Sequence, residues 1–412
     1  MQENLLSTKQ ENPSKLPFQG LNFFYMGLTK RWGTEERMII KDCRLALKGG
    51  AKVYLYTYKN TRLRNKAREL GVECIYHKGK FASKIFEWHK LRKLNRLIDQ
   101  LNINVVHCYD IKVLWPLCFY LRQKKLTPLI YTVSSELKKY YKDFWYRPLS
   151  SRIDQVVLPV PDMVENIWGH LGLPPRKINF VGMGVKTRVL EIDRPPFRYT
   201  EDRWYIGTNL NGIETNTKFL ETLFHSFRVM IERKLEGKNY TFALCNEKSW
   251  ADTKLTDELR RQVKDWGLED HVAFVGPCDV AEQQKWVDLW LGLRRREDLE
   301  DYAIQSLISG TPIVVPRSST SMELLSSHGQ VGETYKLGDS REIREKCEVV
   351  LRNLSTYKAN LHKANQFLCE SYGHDFYEEV MTKSYSKLLG RRRRLQRLRA
   401  KRRKFLSLGK KP

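Results

Sequence analysis

A run of short apolar strands, each followed by a helical segment, constrains this 412-residue chain more than any other feature. Residues 21–28 (LNFFYMGL) are apolar and aromatic without alternation, the pattern of a strand buried on both faces. The loop 29–34 (TKRWGT) leads into a helix expected over 35–48, which Gly49 and Gly50 end. Residues 52–58 (KVYLYTY), 72–76, 105–107 and 129–133 repeat the strand pattern. A long amphipathic helix is expected over 84–101, with Ile85, Trp88, Leu91, Leu94 and Ile98 on its apolar stripe. Strands spaced by helices of this length argue for a parallel sheet with helices on both faces. The pattern restarts after the Pro-rich segment 193–196. Residues 204–207, 241–245, 272–276, 289–293 and 312–315 are strand-like, and 216–231 is helical. Two doubly wound sheets joined near residues 185–200 would share one cleft, because open α/β sheets bind ligands outside the carboxyl ends of their strands.

Charge divides along the chain. Of the net +26, residues 20–190 carry +19 and residues 391–412 carry +12, whereas residues 191–390 carry −5. The first half and the tail are therefore expected to face something anionic. The tail (390–412, GRRRRLQRLRAKRRKFLSLGKKP) mixes twelve bases with Leu395, Leu398, Phe405, Leu406 and Leu408. It reads as a basic extension, as an arm for nucleic acid, or as an amphipathic segment on an anionic bilayer. The companion charge of the first half favours the bilayer. Eight scattered cysteines show no metal-type spacing and read as reduced core residues of a cytosolic protein. No apolar run reaches the roughly 18–20 residues that span a bilayer. Residues 1–19 read as a polar lead-in without a signal-peptide core, so a cytoplasmic protein bound peripherally to the inner face of a membrane is expected.

Several segments, in order, resemble the GT-4-like retaining glycosyltransferases of the GT-B fold. The most telling is 297–325 (EDLEDYAIQSLISGTPIVVPRSSTSMELL), where Glu297, the Gly310-Thr311-Pro312 turn, the strand 313–315 and Glu323 match the family pattern. Gln305 stands where the family has a second Glu. Residues 218–227 (KFLETLFHSF), 267–276 (GLEDHVAFVG), 177–185 (KINFVGMGV) and 370–389 resemble further family segments. The resemblance implies an α/β GT-B fold, with two doubly wound Rossmann-like domains facing a central cleft. The expected divisions are an N-terminus over 1–19, an acceptor domain over 20–190 and a nucleotide-sugar domain over 191–375. A crossover helix over 376–390 returns to the first domain, and the basic tail covers 391–412.

The resemblance also implies roles. Glu297 would accept hydrogen bonds from the donor sugar, and Lys218 would neutralise the departing diphosphate. Gln305 would sit by the ribose, where an amide makes weaker bonds than a carboxylate. Gly207, Asn209, Asp298 and Leu299 complete the expected donor side. Gly33 and Thr34, ahead of the first helix, would form the acceptor or phosphate loop. Ser134 and His107 are candidates beside them, although the serine could cap a helix and the histidine could fill the core. No cofactor or metal is expected; the nucleotide-sugar is a substrate. The chain departs from the pattern at Gln305, at Thr208-Asn209 where an Arg is common, at 132–135 (TVSS) where a His is common, and at 298–300 (DLE). Three functions follow. One is a transferase acting on a lipid-linked, lipopolysaccharide or other envelope glycan. Another is a catalytically impaired relative serving as scaffold or partner subunit. The third is a transferase directed to nucleic acid.

Overall fold

The computed structural model describes residues 16–30, 32–78, 92–124, 126–133, 137, 146, 150–161, 163–187, 197–210, 217–245, 254–276, 283–293, 301–317, 319–326 and 329–408. Within them the chain forms two parallel sheets, each wound with helices. The first sheet has seven strands in the order β3-β2-β1-β4-β5-β6-β7. They are β1 (Asn22–Met26), β2 (Lys52–Tyr58), β3 (Glu73–His77), β4 (Val105–Cys108), β5 (Leu129–Thr132), β6 (Gln155–Leu158) and β7 (Ile178–Phe180). Helices α1 (Thr34–Lys48), α2 (Arg62–Glu69), α3 (Arg92–Gln100), α4 (Ile111–Tyr120) and α5 (Met163–Leu171) connect them. The second sheet repeats the arrangement as β10-β9-β8-β11-β12-β13. Its strands are β8 (Arg203–Asn209), β9 (Asn239–Cys245), β10 (Val272–Val275), β11 (Leu289–Leu291), β12 (Ile313–Pro316) and β13 (Gly332–Tyr335). With it go α6 (Thr217–Arg233), α7 (Lys254–Asp265), α8 (Asp301–Ile308), α9 (Ser319–Ser326), α10 (Ser340–Arg352) and α11 (Leu354–Tyr372). A last helix, α12, runs from His374 to Leu408.

The central strands are apolar because helices cover both faces of each sheet. Phe24 pairs with Tyr54 on one side and Val106 on the other, and all three are buried. In both sheets the order reverses beside the first strand, between β1 and β4 and between β8 and β11. These are the switch points at which loops diverge and leave a crevice at the carboxyl edge. Of the long helix expected over 84–101, α3 begins at Arg92 and buries Leu94 and Ile98. Ile85, Trp88 and Leu91 lie outside the described residues.

Helix α12 crosses back onto the first sheet. Tyr377, Met381, Tyr385, Leu388 and Leu389 recur on one face and enter the core formed by Phe18, Phe23 and Tyr25. The crossing demands two glycines. Gly182 (φ +71°) and Gly184 (φ +61°) adopt left-handed backbone, and a Cβ on them would lie 2.4 Å from the Ser371 carbonyl oxygen and 2.7 Å from the Tyr377 ring. Between them and the helices, Val185 N–H donates to the Tyr372 carbonyl at 3.0 Å. The basic tail continues α12 as helix through Leu408, about 52 Å of helix from its start. Arg392 ties it down by donating to the Asn104 carbonyl at 3.0 Å. Among the described residues no helix is long and apolar enough to cross a membrane.

Candidate active site

The two switch points face each other through the first turns of two helices. Helix α1 leaves the carboxyl end of β1, with Gly33 as its N-cap in extended conformation (φ −159°) and Thr34 as its first residue. Helix α8 enters beside the carboxyl end of β11, beginning at Asp301. Arg37 of α1 grips that carboxylate with two donors, Nε to Oδ2 at 2.6 Å and an NH2 nitrogen to Oδ1 at 2.5 Å. The Thr34 hydroxyl adds a 3.5 Å bond to the same carboxylate. The guanidinium also lies 4.3 Å from the centre of the Tyr302 ring. The two side chains are only 13% and 7% exposed, so water screens the pair little. One turn on, Lys41 donates to the Met183 carbonyl at 2.9 Å. Burial lowers its pKa to about 8, against the pull of Asp301. Two helix amino termini and Arg37 thus meet at one point, a setting that favours anions. Asp301 supplies the negative charge in this structure.

On the donor side, Gly207 lies in β8 directly against β11. A Cβ there would come within 2.7 Å of the Trp290 ring, so packing alone accounts for the glycine. Asn209 is buried at the carboxyl end of β8. Gln305 is buried on α8 and donates through Nε2 to the Lys186 carbonyl at 2.6 Å, in the segment that leaves the first domain. A carboxylate could not make that bond, which gives the amide at this position a structural reason. Lys218 lies on the first turn of α6. Its side chain falls outside the description, as do Ser134, Glu297, Asp298 and Leu299. The last three lie in sequence between β11 and α8.

His107 is fully buried beneath α12. Its Nδ1 meets the Tyr385 hydroxyl at 2.9 Å and its Nε2 meets the Thr132 hydroxyl at 2.7 Å. The ring stacks on Tyr109 with centres 4.5 Å apart. Burial lowers its pKa to about 3, so the imidazole is neutral at ordinary pH. Beside it Asp42 of α1 accepts hydrogen bonds from Tyr109 and, at 2.7 Å, from Tyr377 of α12. Burial raises that carboxyl to about 7, while the two phenols oppose the shift. The structure therefore places His107 inside a hydroxyl network that seals α12 to the first sheet.

Arg37, Lys41, Asp42 and Asp301 were not singled out in the sequence. Arg37 and Asp301 lie 264 positions apart, and nothing near either residue signals the other.

The comparisons with known proteins agree with this architecture. A family model described as Glycosyltransferase Family 4 matches residues 42–189. The first domain resembles that family over those residues. A mannosylfructose-phosphate synthase from Agrobacterium fabrum is 32% identical over 170 residues, 39% of this chain and 37% of that protein. The chain thus spans about a third of the length of this curated relative. Among solved structures, HepE of Anabaena in complex with UDP superposes with a TM-score of 0.64 at 11% identity, covering 89% of this chain and all of that one. The lipopolysaccharide outer core galactosyltransferase WaaB superposes with a TM-score of 0.58 at 12% identity, covering 89% and 99%. These likenesses establish the two-domain GT-B fold for the chain as a whole.

Proposed function

We propose that the chain is a glycosyltransferase that takes a sugar from a nucleotide-sugar held by the second domain and transfers it to an acceptor held by the first. The observation that carries this reading is the meeting of the two carboxyl-edge switch points across Arg37 and Asp301. A nucleotide diphosphate suits that point, where two helix amino termini and a guanidinium converge. UDP bound to HepE supports a nucleotide-sugar donor, and the name of WaaB supports an envelope glycan acceptor. In the proposed reaction Glu297 orients the donor sugar and Lys218 offsets the charge of the leaving diphosphate. Retention of configuration, and a reaction without metal, follow from the family pattern. Net charges of +19 on residues 20–190 and +12 on the tail support work at an anionic membrane surface on its cytoplasmic side. Turnover of a nucleotide-sugar that is lost in Glu297→Ala supports the assignment; unchanged turnover in that variant removes Glu297 from it.

A second reading has its own observation. Gln305 spends its amide on the Lys186 carbonyl, as a hinge-stabilising residue would. A catalytically impaired relative that serves as partner subunit fits that bond. Hydrolysis or transfer of any sugar across a panel of donors rejects this reading. Stable binding to another protein without turnover favours it.

A further inference from the structure

Helix α12 carries the chain from one end of the first domain to the other. It starts beside Gly182 and Gly184, which follow the carboxyl end of β7. Ser384 then accepts hydrogen bonds from Gln155, the first residue of β6, and from Asn179 of β7, both at 3.1 Å. Arg392 donates to the carbonyl of Asn104, which directly precedes β4. The helix therefore runs against the strands and leaves the domain at their amino edge, about 27 Å of helix from His374. From Arg392 it continues for about a further 24 Å, to Leu408. Its charge changes where it leaves. Residues 374–390 hold three acids and two lysines, whereas residues 391–408 hold ten bases and no acid.

The groups gathered at that amino edge are cationic and apolar. Arg122 and Arg176, in the segments that enter β5 and β7, are exposed, as are Arg391, Arg393, Arg394 and Arg397. None of the six forms an ion pair among the described residues. The neighbouring acids are already matched, Asp99 by Lys124 at 2.5 Å and Asp154 by Arg152 at 2.7 Å. Burial lowers the pKa of Lys177, and Arg391, Arg152 and Arg176 add to the shift against the pull of Asp154. Apolar side chains stand out beside these cations. Trp168, on the last turn of α5, is 59% exposed, and Leu398 is 54% exposed on the free turns of α12. Leu395 is exposed one turn before Leu398, and Leu16 is exposed beside Gly50, ahead of β2.

The opposite end of the domain differs. There the cleft opens, Arg37 meets Asp301, and the second half of the chain, at −5 over residues 191–390, faces the first. An anionic bilayer is disfavoured at that end and attracted at the amino edge, by about 1 kcal/mol for each base near its surface. Nucleic acid would use the cations and leave Trp168, Leu395 and Leu398 in water, whereas a bilayer interface takes both kinds of side chain. A second copy carries the same charge and is repelled. We propose that the amino edge of the first sheet and the free turns of α12 dock on an anionic phospholipid bilayer, with the cleft at the far end of the domain. The proposal rests on the reading of the chain as a transferase at a membrane surface. It adds an orientation, and with it a class of acceptor. The reacting hydroxyl lies about 27 Å or more from the bilayer. A lipid-linked acceptor is then a glycan long enough to reach along the first domain, growing at the end remote from its lipid.

The test is flotation of the full chain with vesicles of mixed phosphatidylglycerol and phosphatidylcholine and with vesicles of phosphatidylcholine alone. Titration with a DNA duplex at the same salt, and thermal shift against UDP-, GDP-, ADP- and CMP-sugars, accompany it. The mixed vesicles should bind at least about tenfold more tightly than phosphatidylcholine alone. Arg393→Gln combined with Arg394→Gln should weaken that binding about tenfold. Leu395→Gln combined with Leu398→Gln, and separately Trp168→Ser, should each weaken it severalfold. Lys59→Gln combined with Lys78→Gln, at the carboxyl edge after β2 and β3, should leave it unchanged. All of these side chains are exposed, so the variants keep the fold. Binding that survives the amino-edge variants overturns the proposal, and its loss in the Lys59 and Lys78 pair would reverse the orientation. Equal binding to the two kinds of vesicle overturns the proposal and the membrane reading together, while stabilisation by a nucleotide-sugar keeps the transferase reading standing. Tighter binding of the duplex than of the vesicles also overturns it and assigns the edge to nucleic acid.

Discussion

Two long-range contacts of helix α1 lie five residues apart and differ in kind. Asp42 faces α12 through phenol hydroxyls, fully buried, with a carboxyl whose pKa sits near 7. Arg37 faces α8 through a charged, two-pronged pair that stays 13% and 7% exposed at the cleft. The first contact has no solvent path and is satisfied by neutral donors, so it is made once, on folding. The second lies where an anionic ligand would arrive and offers a guanidinium that a diphosphate can share. One helix thus fastens the crossover through Asp42 and joins the two domains at the cleft through Arg37.

The largest test of this difference is Asp42→Ala. It strands two buried phenols and should cost about 3 kcal/mol in urea unfolding. A loss below about 1 kcal/mol would show that the seam is not held by these bonds. Arg37→Ala comes next, because it leaves Asp301 facing the cleft alone. It should lower stability by about 2 kcal/mol, less than for a fully buried pair, and widen the particle in small-angle scattering. Unchanged scattering would mean that the pair does not close the cleft. Gln305→Glu then replaces a donor with an acceptor facing the Lys186 carbonyl, at about 1.5 kcal/mol. If that variant also gains donor affinity or turnover, the amide marks an impaired donor site.

For the wild type the smallest effect lies in pH. The raised pKa of Asp42 makes the fold less stable as pH rises from about 4 to about 7, since the folded state holds the extra proton. The lowered pKa of His107 makes the fold more stable as pH rises from about 3 to about 6.5. Between pH 4 and 6.5 the two oppose each other, and the wild type changes little on their account. His107→Gln removes one side of this balance, so melting temperatures should show the variant gaining on the wild type as pH falls from 6.5 to 4.5. A constant difference across that range would mean that the imidazole is not kept neutral by burial.

The sheets were legible because their inner strands are apolar without a break, as in NFFYM of β1 and KVYLYTY of β2. Outer strands were harder to see. β13 reads GETY, and β7 is only half-buried, so neither carries the continuous apolar signal. β6 is a run of four residues, too short to separate from its flanks. The crossover and the tail, expected as separate pieces, form one helix, because Gly390 interrupts neither its backbone nor its register. Within the site, residue type alone does not show what each side chain touches. Gly207 is expected on the donor side, and the Trp290 ring packs closely against it. Gln305 reads as a weakened ribose contact, yet its donor faces a backbone carbonyl. The Arg37–Asp301 pair joins distant parts of the chain and becomes visible only when both sheets are assembled.

The central claim, a nucleotide-sugar bound between two switch points, is tested most directly by thermal shift against UDP-, GDP-, ADP- and CMP-sugars. One donor should raise the melting temperature in a saturable way, with the shift reduced in Arg37→Ala. No stabilisation by any of the four, under conditions where the folded protein is otherwise intact, would contradict it.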